Sequence, residues 1–242
     1  MVQTRFPGVR HIKAPKPSGG EDMATIEDKV RKILADVRKR GDVAVADYSK
    51  QFDGYEGASE VSESEKREIL ASIAKDIRED MDFAIANVTR FAEAQKASLR
   101  SLEIEALPGV HLGHRVIPID RVGVYVPGGR YPILSAAIMT VVPAKVAGCK
   151  EIIACLPPKA HPGMVAGCIV AGAHRVFRVG GAQAIAAMAF GTESVPQVDK
   201  IFGPGNAFVN EAKRQVFGRV GIDQLAGPSE STQWRMRAET PR

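Results

Sequence analysis

From Thr25 the apolar positions Ile26, Val30, Ile33, Leu34 and Val37 recur at helical spacing, and Gly41 stops the run. The stretch VAVADYSKQFDG predicts a second short helix ending near Phe52. Ser62 and Glu65 stand as a capping box ahead of Ile69, Leu70 and Ile73, and the helical pattern continues, with room for a break, to about Ala97. LEIEAL, Pro-Gly and VHLGHRVIPI then change the period to alternation, the mark of a hairpin or of two strands. Residues 1–24 are polar, with Pro and Gly, and read as an arm.

After residue 118 the texture changes. Short apolar runs at 122–126, 151–156, 175–179, 198–202 and 220–224 read as strands. Helical runs at 133–147, 162–172, 182–191 and 206–218 lie between them. That alternation predicts βαβ units and a doubly wound parallel sheet, with ligands expected at the carboxyl ends of its strands. The organisation expected is a helical region with a hairpin over 1–118, an α/β domain over 119–230 and an atypical tail over 231–242.

Three strand-to-helix turns hold the candidate chemistry: VPGGRYP (126–132), VGGAQ (179–183) and FGPGN (202–206). Glycine lets the chain turn sharply and brings free amide groups within reach of an anion. All three should lie on one edge of the sheet. Arg130 could add a charged fork. The strict dinucleotide fingerprint G-x-G-x-x-G is absent, since GPGNAF matches only its first two glycines. Gln183 and Asn206 each open a helix. Asn206 suits an N-cap as well as a ligand, and Gln183 suits a plain surface position as well as a ligand. His111 and His114 have H-x-x-H spacing, but in a hairpin rather than a helix. His161 reads as a loop residue, His174 as structural, and Lys213 with Arg214 as a solvated helix face.

Composition narrows the classes. The chain has 242 residues, 45% hydrophobic and 25% charged, which fits a globular protein. No window of 18 uninterrupted apolar residues exists, and the N-terminus lacks a signal-peptide core, so a cytoplasmic protein without a membrane span is expected. Cys149, Cys155 and Cys168, odd in number and in apolar contexts, predict buried reduced thiols rather than disulfides. The formal charge of +5 is spread among acids and accompanied by few aromatics. Anionic small molecules suit that surface better than nucleic acid.

RVGVYVPGG, PAKVAGC, GGAQAIAAMAFGTESVPQVDKIFGPGNAFVNEAKRQVFG and IDQLAGPSE resemble, in order and spacing, the histidinol dehydrogenase family over roughly residues 25–230. The resemblance implies a Rossmann-like NAD-binding domain in a zinc-containing dehydrogenase of histidine biosynthesis, a homodimer that oxidises L-histidinol to L-histidine. It implies that Tyr125, Gln183 and Asn206 contact NAD and that Ser229, in GPSE, touches the substrate. Where the family has a small residue and Ala after the paired glycines, this chain has Arg130-Tyr131-Pro132. That version is similar to relatives that oxidise 2,3-dihydroxypropane-1-sulfonate, whose sulfonate an arginine would suit. Arg130 would equally pair with a cofactor phosphate or stay in solvent. The family's zinc ligands and its Glu-His acid/base pair fall beyond residue 242, so no catalytic or metal residue carries over. The C-terminal half of the family fold is then missing, and the chain alone is expected to be inactive, with apolar surface exposed in its N-terminal part. A non-catalytic NAD-binding or subunit-pairing fragment is the alternative.

Overall fold

The computed structural model of the chain describes residues 23–128 and 132–225. The N-terminal pattern folds as its spacing dictates. Helix α1 (Met23–Arg40) buries Ile26, Val30, Ile33, Leu34 and Val37 on one face. Gly41 ends it at φ +56°. Helix α2 (Asp42–Tyr48) runs directly into a π-helical turn, Ser49–Asp53, closed by Gly54 in the left-handed region. Helix α3 (Glu63–Ser72) is capped by Ser62, whose Oγ accepts from the Glu65 N–H at 3.3 Å. Only half of the capping box forms, because the Glu65 carboxylate pairs with Arg178 at 2.8 Å instead. The break foreseen in the long helical stretch falls at Ile73–Ala74, before α4 (Lys75–Ser98).

Strands β1 (Leu102–Leu107) and β2 (Val110–His114) form the expected hairpin, antiparallel, with Ile104 opposite Leu112. Their alternation creates an apolar face, yet both strands are exposed throughout.

The remaining elements alternate. They are β3 (Arg121–Tyr125), α5 (Leu134–Ala147), β4 (Glu151–Leu156), α6 (Pro162–Ala171), β5 (Arg175–Arg178), α7 (Gly181–Phe190), β6 (Lys200–Phe202), α8 (Ala207–Val216) and β7 (Gly221–Ile222). The five strands are parallel, in the order β5-β4-β3-β6-β7. Strands β6 and β7 are shorter than the apolar runs that announced them.

Such strands are buried on both faces and read as continuous apolar runs, with side chains alternating between two cores. Val122, Val124, Ile152, Ala154 and Val176 face α5 and α6. Tyr125, Ile153, Cys155, Phe177 and Ile201 face α7, α8 and α1. At position 123, on the second face, glycine makes room for Met188: a Cβ there would lie 2.6 Å from Met188 Sδ. Cys155 and Cys168 are buried free thiols, and burial pushes the Cys168 thiol up to about 12. Cys149 is only half-buried, at the rim of that packing. Among the described residues no helix is long and apolar enough to cross a membrane.

The chain leaves β3 toward β4 and β5 on one side, then returns to place β6 on the other. The strand order therefore reverses between β3 and β6. Neighbouring crossovers leave in opposite directions there, and a crevice opens beyond the carboxyl ends.

Candidate functional site

A cleft of about 630 Å³ occupies that crevice. Its floor comes from the glycine turns. Gly128, Gly180, Gly181 and Asn206 all line it, so the three turns do converge on one edge. Pro157, just after β4, locks two of them together. A Cβ on Gly128 would lie 2.7 Å from the Pro157 ring, and one on Gly180 would lie 3.2 Å from its Cα.

Tyr125 is the last residue of β3 and is 4% exposed. Its hydroxyl oxygen accepts from the Gly181 N–H at 3.1 Å, tying the first turn to the second. Burial pushes the phenol above its ordinary range, helped by the nearby Cys155 and Asp53 and opposed by the Gly181 N–H. The group thus stays protonated at neutral pH, an oxygen that has accepted one bond and still has a proton to donate.

Gln183, in the first turn of α7, is not a surface residue; it is 1% exposed. Its Oε1 is buried without a hydrogen-bond partner among the described residues. A Cβ on Gly181 would come within 2.6 Å of that oxygen. The sequence shows a glutamine after two glycines, but not that the helix turns it inward. An unsatisfied buried amide oxygen costs about 1–3 kcal/mol, so its presence on the floor of a cleft marks a donor to be supplied by a ligand.

Asn206 caps α8, its Oδ1 accepting from the Val209 N–H at 3.0 Å. The capping and ligand roles are compatible, because the cap uses the oxygen and leaves the amide Nδ2 donors.

The opposite wall was not read from the sequence. Lys29 and Lys32 of α1, Tyr48 at the end of α2, and Phe52 and Asp53 of the π-helical turn line it. Tyr48 and Phe52 stack at 5.5 Å and 13°. Asp53 is held above the usual carboxylate range by burial, against the pull of Lys159. The available signal was the QFDG end of the second helix, an aromatic and an acid ahead of a left-handed glycine. A helical insertion of this kind commonly marks a functional position.

Lys213 requires a correction. The solvated face expected of Lys213 and Arg214 holds only for Arg214, which pairs with Glu211. Lys213 is 1% exposed, forms an ion pair with Asp223 and donates to the Gly203 carbonyl at 3.0 Å. The register of α8 decides this, turning 213 with Val209 and Val216 toward the sheet.

Two of the histidines are engaged locally. His161 Nδ1 accepts from the Gly163 N–H and caps α6, and His174 Nδ1 accepts from the Ile152 N–H. His111 and His114, three apart in a strand, point to opposite faces and do not converge. Arg130, Tyr131 and Ser229 lie outside the described residues.

The arrangement suits an elongated ligand with anionic and amide parts: backbone turns, two lysines, an aromatic pair, and neutral amides at the floor.

The family model for histidinol dehydrogenase matches residues 17–233. Sulfopropanediol 3-dehydrogenase of Ruegeria pomeroyi is 44% identical over 227 residues, 92% of this chain and 52% of that protein. Histidinol dehydrogenase of Thermus thermophilus is 50% identical over 209 residues, 86% of this chain and 49% of that protein. The crystal structure of histidinol dehydrogenase from Elizabethkingia anophelis matches with a TM-score of 0.79 at 34% identity, over 90% of this chain and 50% of that one. The chain thus spans about half the length of the curated relatives it matches. With the family model covering all of the described residues and a homologous crystal structure sharing the fold, this chain belongs to the histidinol dehydrogenase family.

Proposed function

We propose that this chain supplies the dinucleotide-binding half of an NAD-dependent alcohol dehydrogenase that oxidises L-histidinol to L-histidine. The observation that carries the reading is the buried, unpartnered Gln183 Oε1 on the floor of the switch-point cleft. NAD fits the residues present. The glycine turns leave room for close backbone approach, Gln183 accepts from an amide or hydroxyl, and Tyr125 and Asn206 Nδ2 donate. When bound, NAD supplies the carbon that accepts hydride. The protein's own part is to hold and orient it. Zinc has no comparable support, because among the described residues no three His, Cys, Asp or Glu side chains gather to hold it. The family resemblance assigns the acid/base pair to the half of the relatives that this chain does not span. On this reading the residues described here bind and orient the dinucleotide, and the chemical step draws on the remainder of the family's length.

Calorimetric titration with NAD tests the reading. The chain should bind saturably, and Gln183→Leu should weaken binding about tenfold, the expected loss of one buried hydrogen bond. No binding at millimolar NAD would overturn it.

A second substrate is favoured by a specific observation. The sulfopropanediol dehydrogenase relative aligns over 92% of the chain, and the segment after the paired glycines reads Arg130-Tyr131-Pro132. On this reading Arg130 and Ser229 contact 2,3-dihydroxypropane-1-sulfonate. In an assembly with the complementary half, Arg130→Ala should raise KM for the sulfonate diol and leave that for histidinol unchanged. Equal effects on both would remove this reading.

A further inference from the structure

Gly203 is the point where β6 gives way to the third glycine turn, and neither of its backbone polar groups enters the sheet. Its N–H donates to Asp223 Oδ2 at 2.9 Å, and its carbonyl accepts from Lys213 Nζ at 3.0 Å. Lys213 and Asp223 are themselves ion-paired. Two side chains, one from α8 and one just after β7, thus hold a single residue from both ends of its peptide units. Gly203 has φ +120°, a conformation open mainly to glycine, and a Cβ there would lie 2.1 Å from the Tyr125 carbonyl oxygen. The turn therefore rests directly on the end of β3. Three residues later comes Asn206, at the cleft.

A fully buried lysine is a costly way to fill this position. An apolar residue of similar volume commonly stabilises as well or better, so the ion pair is poorly explained by packing alone. What it supplies is a unique geometry. Residues 203–206 have no regular secondary structure, and without the two side chains the Gly203 amide and carbonyl would be free to seek other partners.

We propose that Lys213 and Asp223 are positioning residues for the cofactor, gripping Gly203 by its N–H and its carbonyl so that the Gly203–Asn206 turn is preset to receive the dinucleotide. The proposal rests on the NAD reading above. The clamp touches no ligand; it acts through the turn, lowering the ordering cost that binding would otherwise meet.

The test is NAD affinity set against thermal stability, measured on the full chain by calorimetric titration and by thermal unfolding. The variants are Lys213→Met, Asp223→Asn and the double variant, which leaves no orphan charge and so guards against misfolding of a single one. Arg175→Met is the control: it breaks the Arg175–Glu60 pair at the amino end of β5, away from the cleft. The clamp variants should bind NAD about tenfold more weakly or worse well below their melting temperatures. The double variant should lose no more than the worse single one, because the two residues act as a unit. The control should lose stability and keep its affinity. Clamp variants that are less stable but bind like the wild type would overturn the proposal and leave a structural pair. A wild-type chain that binds no NAD would instead remove the NAD reading, and the clamp's role with it.

Discussion

At the scale of single residues, the pattern of satisfied and unsatisfied polar groups separates structure from site. Glu60 is bonded by Arg175 through two contacts of 2.7 and 2.6 Å, which hold its carboxyl below the usual range despite partial burial. Burial works against the Asp223 charge, but the Lys213 ammonium and the Gly203 N–H outweigh it, and this carboxyl also titrates low. Both therefore have a folded pKa below the unfolded one. Their contribution to stability is fully present above the unfolded value, about 4, and is lost as pH falls through the folded value. Thermal melts should show a midpoint that is flat near neutrality and drops below about pH 4, with a shallower drop in Glu60→Gln and Asp223→Asn. A drop as steep in both variants as in the wild type would mean that other carboxylates carry the acid response. Gln183 is the opposite case, a buried oxygen with nothing to accept from.

At the scale of elements, local signals and observed bounds agree where the signal is chemical rather than merely apolar. Ser62 starts α3 as its cap, a contribution of about 1 kcal/mol, and Gly148 and Gly172 sit in the left-handed region at helix ends. Strand ends were less legible. The 198–202 run yields a strand only from Lys200, because the Val198 N–H goes to the Met188 carbonyl. Helix α5 keeps Pro143 within its span, although proline removes a helical donor. The π-helical turn, closed by Gly54, is marked in the sequence only by the QFDG end of the second helix.

At the scale of the molecule, two environments coexist. The sheet and its flanking helices form two continuous cores. The outer face of α4 and the hairpin leave apolar side chains in the open: Phe83 is 73% exposed, Phe91 67% and Leu107 66%. A two-stranded hairpin is at best marginal by itself, and contiguous apolar surface binds hydrophobic dyes. The chain should therefore bind such a dye in its native state, and Phe83→Ser with Phe91→Ser should reduce that signal without lowering the melting temperature. An unchanged signal would place the dye elsewhere.

The sequence by itself determined the βαβ succession, the placement of α1 by its 3.6-residue stripe, the hairpin by its two-residue alternation, and the three glycine turns. These depend on local periodicity and backbone freedom, which neighbouring residues encode. It also marked Tyr125, Gln183 and Asn206 through their motifs. Only the tertiary structure decided that Gln183 is buried without a partner, that Lys213 faces inward to Asp223, and that Lys29, Phe52 and Asp53 close the far wall of the cleft. Those facts depend on segments distant in the chain meeting in space, as Lys29, Gln183 and Asn206 do at one cleft. A helix's own periodicity says which residues share a face. It does not say which polar group on that face will meet a charge, a glycine or an empty crevice.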